Sequence, residues 1–155
     1  MSAARIFTPE NRLARFLDVL GGTATDELIA SAEQRVDAMS EGIREFVAAK
    51  LLLILPFADQ DDDVLFAECR TLADTATQIA EVAAAGKLNT VGEIALGISA
   101  MVNGLLTVGA WHSEALRIHI RALGLAAQAK TPLAGNDDPI VEHLRQMRRT
   151  IGLRD

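Results

Sequence analysis

Three histidines and one cysteine carry the greatest chemical reach in this sequence. His119 lies in the segment Ile118-His119-Ile120-Arg121-Ala122-Leu123. At 100° per residue on a helix it falls between Ala115 and Leu123, near the middle of an apolar arc. An imidazole in that place needs a hydrogen-bond partner or an open groove. Its surroundings favour a core histidine bonded to a backbone carbonyl, because nothing near it in the sequence supplies the rest of a site. The alternative is a phosphoacceptor or a ligand-binding ring, since imidazole changes charge near physiological pH and is nucleophilic when neutral. His143 stands on a basic terminal segment where exposure is expected, and is the second alternative acceptor. His112 adjoins Trp111 at a helix start. Cys69 falls on an apolar stripe and reads as packing, not as a nucleophile.

The partners these groups would need are missing. A hydrolytic triad requires a nucleophile, a base and an orienter, and no nucleophile elbow occurs. No Gly-rich phosphate loop is followed by a Lys. Bundles that hold two metal ions use Glu-x-x-His pairs, whereas Leu116, Ile140 and Gly109 stand three residues before the histidines. The acidic run Asp59, Asp61, Asp62 and Asp63 lacks the Gly and the distal Glu of a calcium loop. It suits the positive end of a helix dipole instead. The expectation is no catalytic residue, no metal and no cofactor.

Composition says what must position these side chains. Half of the 155 residues are apolar, only 4% are aromatic, and Ala, Leu, Glu and Arg are abundant. Such residues lose little freedom in a helix. The net charge of −6 argues against a nucleic-acid partner and against an anionic membrane surface. A lone cysteine fits a reducing compartment. No secretory signal is recognisable, and the strongest apolar run, Leu51 to Phe57, is far too short to span a bilayer. A cytoplasmic protein is expected.

Periodicity then lays out five or six helices and no strand. Thr8-Pro9-Glu10 opens a short helix that ends at Gly21-Gly22. Thr25-Asp26-Glu27 opens a long one, with Ile29, Ala32, Val36, Met39, Ile43 and Phe46 forming a seven-residue repeat. That seam reads as bundle core, or else as a homodimer seam. The run Leu51 to Leu55 is apolar on all sides, so full burial is expected, with Pro56 close to the stop. Leu65, Cys69, Leu72, Ala76, Ile79 and Ala83 stripe the next helix, and Gly86 is its expected stop. Asn89-Thr90 opens another, where Thr90 and Glu93 have capping-box spacing and Gly92, Gly97 and Gly104 weaken the helix. A helix over Ser113 to Gln128 places Glu114, Arg117 and Arg121 on one narrow polar side. After a linker at Lys130 to Asp137, Asp138-Pro139 caps a last helix with Ile140, Leu144, Met147 and Ile151 on one side. Arg145, Arg148, Arg149 and Arg154 make this end basic, as a solvated face or as an arm for an acidic partner. The predicted architecture is an all-α helical bundle, one domain over 1–155, with a core at about 24–128, a linker at 129–138 and a terminal basic helix at 139–155.

Three segments together carry a likeness. They are the small-residue helix Leu72-Ala73-Asp74-Thr75-Ala76-Thr77-Gln78-Ile79-Ala80 running to Gly86, the opening Asn89-Thr90-Val91-Gly92-Glu93-Ile94-Ala95, and Ile118 to Leu123. Over roughly Val64 to Leu125 the chain resembles histidine-phosphotransfer (Hpt) four-helix bundles, and more closely the Hpt-like, chemotaxis-associated proteins of alphaproteobacteria. That family presents an exposed His in mid-helix, a Lys three residues on and then a Gly. Here Thr77, Ala80 and Glu81 stand in those places. Thr lacks the imidazole nucleophile, and Glu81 would repel a phosphoryl group. The resemblance therefore implies the scaffold, with docking of a response-regulator receiver or a sensor kinase, and not the phosphotransfer. Thr77, Glu81 and Lys87 are the expected docking residues, joined by Arg145, Arg148 and Arg149 if the basic end takes part. Two other readings stand beside it. One is an active phosphotransferase using His119 or His143. The other is a structural bundle that holds a small hydrophobic ligand or dimerises through its long helix.

Overall fold

A computed structural model describes residues 25–129 and 138–153. The expected helix at 8–20 with its Gly21-Gly22 stop, the 130–137 linker and Arg154 lie outside the described residues. The chain divides into two units, 1–35 and 36–155. In the first, the opening stretch of a helix is described, and its residues 27–35 are all exposed.

Among the described residues there are six α-helices and no strand, so the chain is an all-α bundle. They are α1 (Thr25–Ile54), α2 (Asp62–Ala67), α3 (Cys69–Ala83), α4 (Asn89–Val108), α5 (Ser113–Gln128) and α6 (Pro139–Thr150). A 3-10 turn over Leu55–Asp59 joins α1 to α2, with Pro56 in its first turn. Proline lacks the N–H that an α-helix would need there, so α1 ends just before it.

The body is built around α4. Val91, Ile94, Ala95, Ile98, Met101, Val102 and Leu105 are all buried, and α3, α5 and α6 each pack against it. By length and composition α4 is apolar enough to cross a membrane, but 56% of it is buried inside the protein, as befits a core helix. Its three glycines do not shorten it. A methyl on Gly92 would lie 2.9 Å from the Ala83 Cβ, and one on Gly97 would meet Arg148 Nη1 at 2.6 Å. The close approach of α3 and α6 offsets a helix cost of about 1 kcal/mol per glycine. Left-handed Gly109 ends α4, its N–H donating to the Leu105 carbonyl at 3.0 Å.

The other stripes fall largely as their spacing predicts. Leu65, Cys69, Leu72, Ala76, Ile79 and Ala83 are buried, though a break at Glu68 divides them between α2 and α3. Helix α5 spans Ser113–Gln128 and buries Leu116, His119, Ile120 and Leu123 completely. Asp138 caps α6, its Oδ1 accepting from the Ile140 N–H at 2.8 Å. Val141 and Leu144 make the buried side of α6, while Ile140 is 37% exposed.

Several expectations are corrected. The α1 seam is not bundle core, because Val36, Met39 and Phe46 are exposed and Ile43 is half-buried. Ser40, Val47, Leu51 and Ile54 are what α1 turns toward the body. One face is covered, so Leu52 and Leu53 at the apolar end of α1 stay in solvent. Thr90 and Glu93 form no capping box, since Leu88 is the N-cap residue and has no side-chain cap bond. Glu93 instead pairs with Arg145 at 2.9 Å. Gly86 does not supply the left-handed turn after α3. Lys87 does, at φ 60°, while Gly86 is small because a methyl there would lie 2.7 Å from Ile43 Cγ2. Of the acidic run, Asp62 and Asp63 do lie in the first turn of α2. Asp62 also pairs with Arg117 and accepts from the Ser113 hydroxyl, and Asp59 pairs with Arg121.

Candidate functional site

Thr77 occupies the acceptor place in the phosphotransfer likeness. It is half-buried where α3 meets α4. Its hydroxyl donates to the Ala73 carbonyl at 2.9 Å, one turn earlier, and contacts the Ser99 hydroxyl at 2.8 Å. With its proton spent on Ala73, Thr77 Oγ1 accepts from Ser99. Ser99 is buried, so this pair satisfies two hydroxyls inside a helix contact. A side chain held this way fastens α3 to α4.

Glu81, one helical turn beyond Thr77, is exposed. Lys87 is exposed as well, and its ammonium pairs with Asp37 on α1 at 3.1 Å. Arg44 Nε, also on α1, donates to the Gly86 carbonyl at 3.1 Å. Two charged side chains thus tie α1 to the α3–α4 turn.

His119 is at the centre of the contact between α4, α5 and α6. It is fully buried. Nδ1 lies 2.8 Å from the Ala115 carbonyl, which fixes the proton on Nδ1, because a carbonyl can only accept. Nε2 is then the lone-pair nitrogen and faces Arg148 Nη1 at 3.4 Å. Desolvation by burial pushes the imidazole down to about 4; the Ala115 carbonyl opposes this, the Arg148 charge adds to it, and the Leu144 backbone carbonyl opposes it as well. A neutral, enclosed ring is out of reach of a phosphoryl donor. His119 plays the carbonyl-bonded core role expected of it.

His143 is exposed, and its Nδ1 lies 2.6 Å from the Pro139 carbonyl. The three candidate arginines of α6 divide. Arg145, half-buried, pairs with Glu93 on α4 and lies 3.9 Å from Glu142. Arg148 reaches His119 across the notch that Gly97 leaves. Arg149 is exposed and pairs with Glu142 at 3.6 Å. Helix α6 is accordingly docked on the bundle by two of its cations. Solvation of its whole basic face, the favoured reading of the sequence, holds for Arg149 alone among these three.

Two open depressions lie among the described residues. A polar one is lined by Arg70, Asp74, Asn103 and Thr107 between α3 and α4. An apolar groove of about 240 Å³ is lined by Met39, Gly42, Ile43, Phe46 and Val82 between α1 and α3. No family model, no curated protein and no solved structure matches this chain.

The structure brings Thr77 together with Ser99, and His119 with Arg148. Sequence reading missed Ser99, Glu93 as an ion-pair partner, and the Gly97 notch. A signal existed for Ser99, since it is a polar residue on the apolar face of α4 between Ala95 and Val102, and so needs a partner.

Proposed function

We propose that the chain is a non-catalytic interaction module of two-component or chemotaxis-type signalling, built like a phosphotransfer bundle without its acceptor and docking a receiver or kinase partner. The observation that carries this reading is the Thr77–Ser99 hydrogen bond. At the place where the likeness calls for a solvent-facing nucleophile, the chain has a hydroxyl engaged in holding α3 to α4. The burial of His119 supports the same reading, because it withdraws one of the two alternative acceptors. Exposed Glu81 and Lys87 supply a charged surface on which a partner can be selected. The test is a binding panel of receiver domains and sensor-kinase domains against the immobilised protein. Micromolar binding by at least one member, weakened by Glu81→Arg, is expected. Binding by none, or binding indifferent to Glu81→Arg and Lys87→Glu, would remove the support for docking at this surface.

A second reading, phosphotransfer through His143, draws on one observation. With Nδ1–H donated to Pro139, the exposed ring keeps a lone pair on Nε2, the form a nucleophile needs. Acid-labile phosphate that disappears in His143→Gln would establish it in place of the first.

A further inference from the structure

We propose that two copies of this chain pair through an apolar ladder on α1. The inference rests on reading the chain as an interaction module, and it names one of the partners as the chain itself. Met39, Phe46 and Leu53 recur every seven residues and are 64%, 41% and 59% exposed, with Val36 at 54% on the adjoining side. A seven-residue apolar repeat left in solvent is the pattern by which one helix seats against an equivalent one. Together these four residues leave roughly 400 Å² of apolar surface uncovered, within the range at which an exposed patch marks a contact site. Two such faces with their rims bury about 1,000 Å², the lower bound for a specific complex.

Charge selects the second copy as occupant. The strip Met39, Gly42, Ile43, Phe46, Ala49, Lys50 and Leu53 contains no carboxylate, on a chain of net charge −6. Asp37 and Glu41 fall on other sides of the helix, while Glu45 borders the strip on the flank opposite Lys50, where it can face the Lys50 of a second copy. Its one cation, Lys50, lies 5.3 Å over the ring of its own Phe46, where the ring face partly balances it. Two chains of this negative net charge can meet on this strip without bringing carboxylates against each other at its centre. Gly42 gives the strip relief, since a methyl there would meet nothing within 4 Å. It forms the floor of a hole between Met39 and Phe46 that takes a side chain from a facing helix.

Sedimentation equilibrium of the full chain over roughly 5 to 300 µM tests this. The mass should climb toward twice the 16.6 kDa of one chain. Phe46→Glu and Met39→Glu should each weaken pairing at least about 30-fold, as loss of a buried hot-spot residue does. Their helicity should stay at the wild-type value, and so should their thermal midpoint at dilutions where the wild type is a monomer, because both side chains are exposed within one chain. Leu52→Glu, exposed on another side of the same helix, should leave pairing unchanged. A single 16.6 kDa species throughout, or equal effects from Leu52→Glu, would overturn the proposal. The receiver panel, run on the same samples, separates the two readings. A monomer that binds a receiver defeats pairing alone, and a dimer that binds none defeats docking alone.

Discussion

Lowering the pH should unfold this protein partly through one residue, His119. The neutral ring is enclosed by α4, α5 and α6, with the Ala115 carbonyl on Nδ1 and Arg148 facing Nε2. Protonation would place a second cation beside Arg148 in a fully buried site. The folded value is about 4, against an ordinary 6.5. At about 1.4 kcal/mol per pH unit, that gap amounts to about 3 kcal/mol. The sign follows from which state binds the proton first. Below pH 6.5 the unfolded chain takes it up while the folded chain does not, so stability falls as the pH falls. The contribution is complete above pH 6.5, declines between 6.5 and about 4, and is flat below. Urea unfolding at intervals from pH 7.5 to 3.5, on the wild type and on His119→Gln, isolates it, because carboxylate effects are common to both proteins. The difference in unfolding free energy between them should change by about 3 kcal/mol across the window, with the wild type losing more. Parallel pH profiles for the two proteins would refute the enclosed, neutral assignment.

Other perturbations should separate the contacts that hold the bundle. Gly92→Ala drives a methyl against the Ala83 Cβ, which cannot swing away. Overpacking of about 2 kcal/mol, less up to about 1 kcal/mol of helix propensity, should leave a net loss seen as a lower urea midpoint. Gly97→Ala meets the far end of the flexible Arg148 side chain, not backbone, and should change stability by less than about 1 kcal/mol in the same assay. Thr77→Val strands the buried Ser99 hydroxyl and should cost about 1–3 kcal/mol, while the Thr77→Val/Ser99→Ala double variant should cost less than the two single changes added together. Arg145→Met removes a half-buried partner of Glu93 and should cost about 1 kcal/mol, a difference that shrinks in high salt.

The parts of the fold legible in the sequence are those set by local chemistry. Asp138-Pro139 states both a cap and a fixed first turn, and the structure has both. The Ser113–Gln128 helix and the Leu65-to-Ala83 stripe follow from spacing alone, since a buried face must recur at 3.6 residues. The carbonyl bond of His119 was also accessible, because a polar ring on an apolar face has few alternatives. What stayed hidden depends on which element lies next to which. Thr90 and Glu93 carry a cap's spacing, but α6 brings Arg145 to Glu93 and the carboxylate goes there. The α1 heptad says that something should cover Met39 and Phe46, and cannot say whether that is the same chain or another. Gly97 reads as a helix-weakening residue until Arg148 is seen in its notch. Thr77 reads as a surface residue until Ser99 is seen facing it.

The central claim is contact with a signalling partner without carriage of its phosphate, and phosphate accounting tests it most directly. Receiver domains and sensor kinases, labelled with radioactive phosphate, would be incubated with the wild-type chain and followed by acid- and base-lability of the label. The account predicts partner binding with all label remaining on the partner and its decay rate unchanged. Acid-labile label appearing on this chain, whether at His119 or at His143, would contradict it.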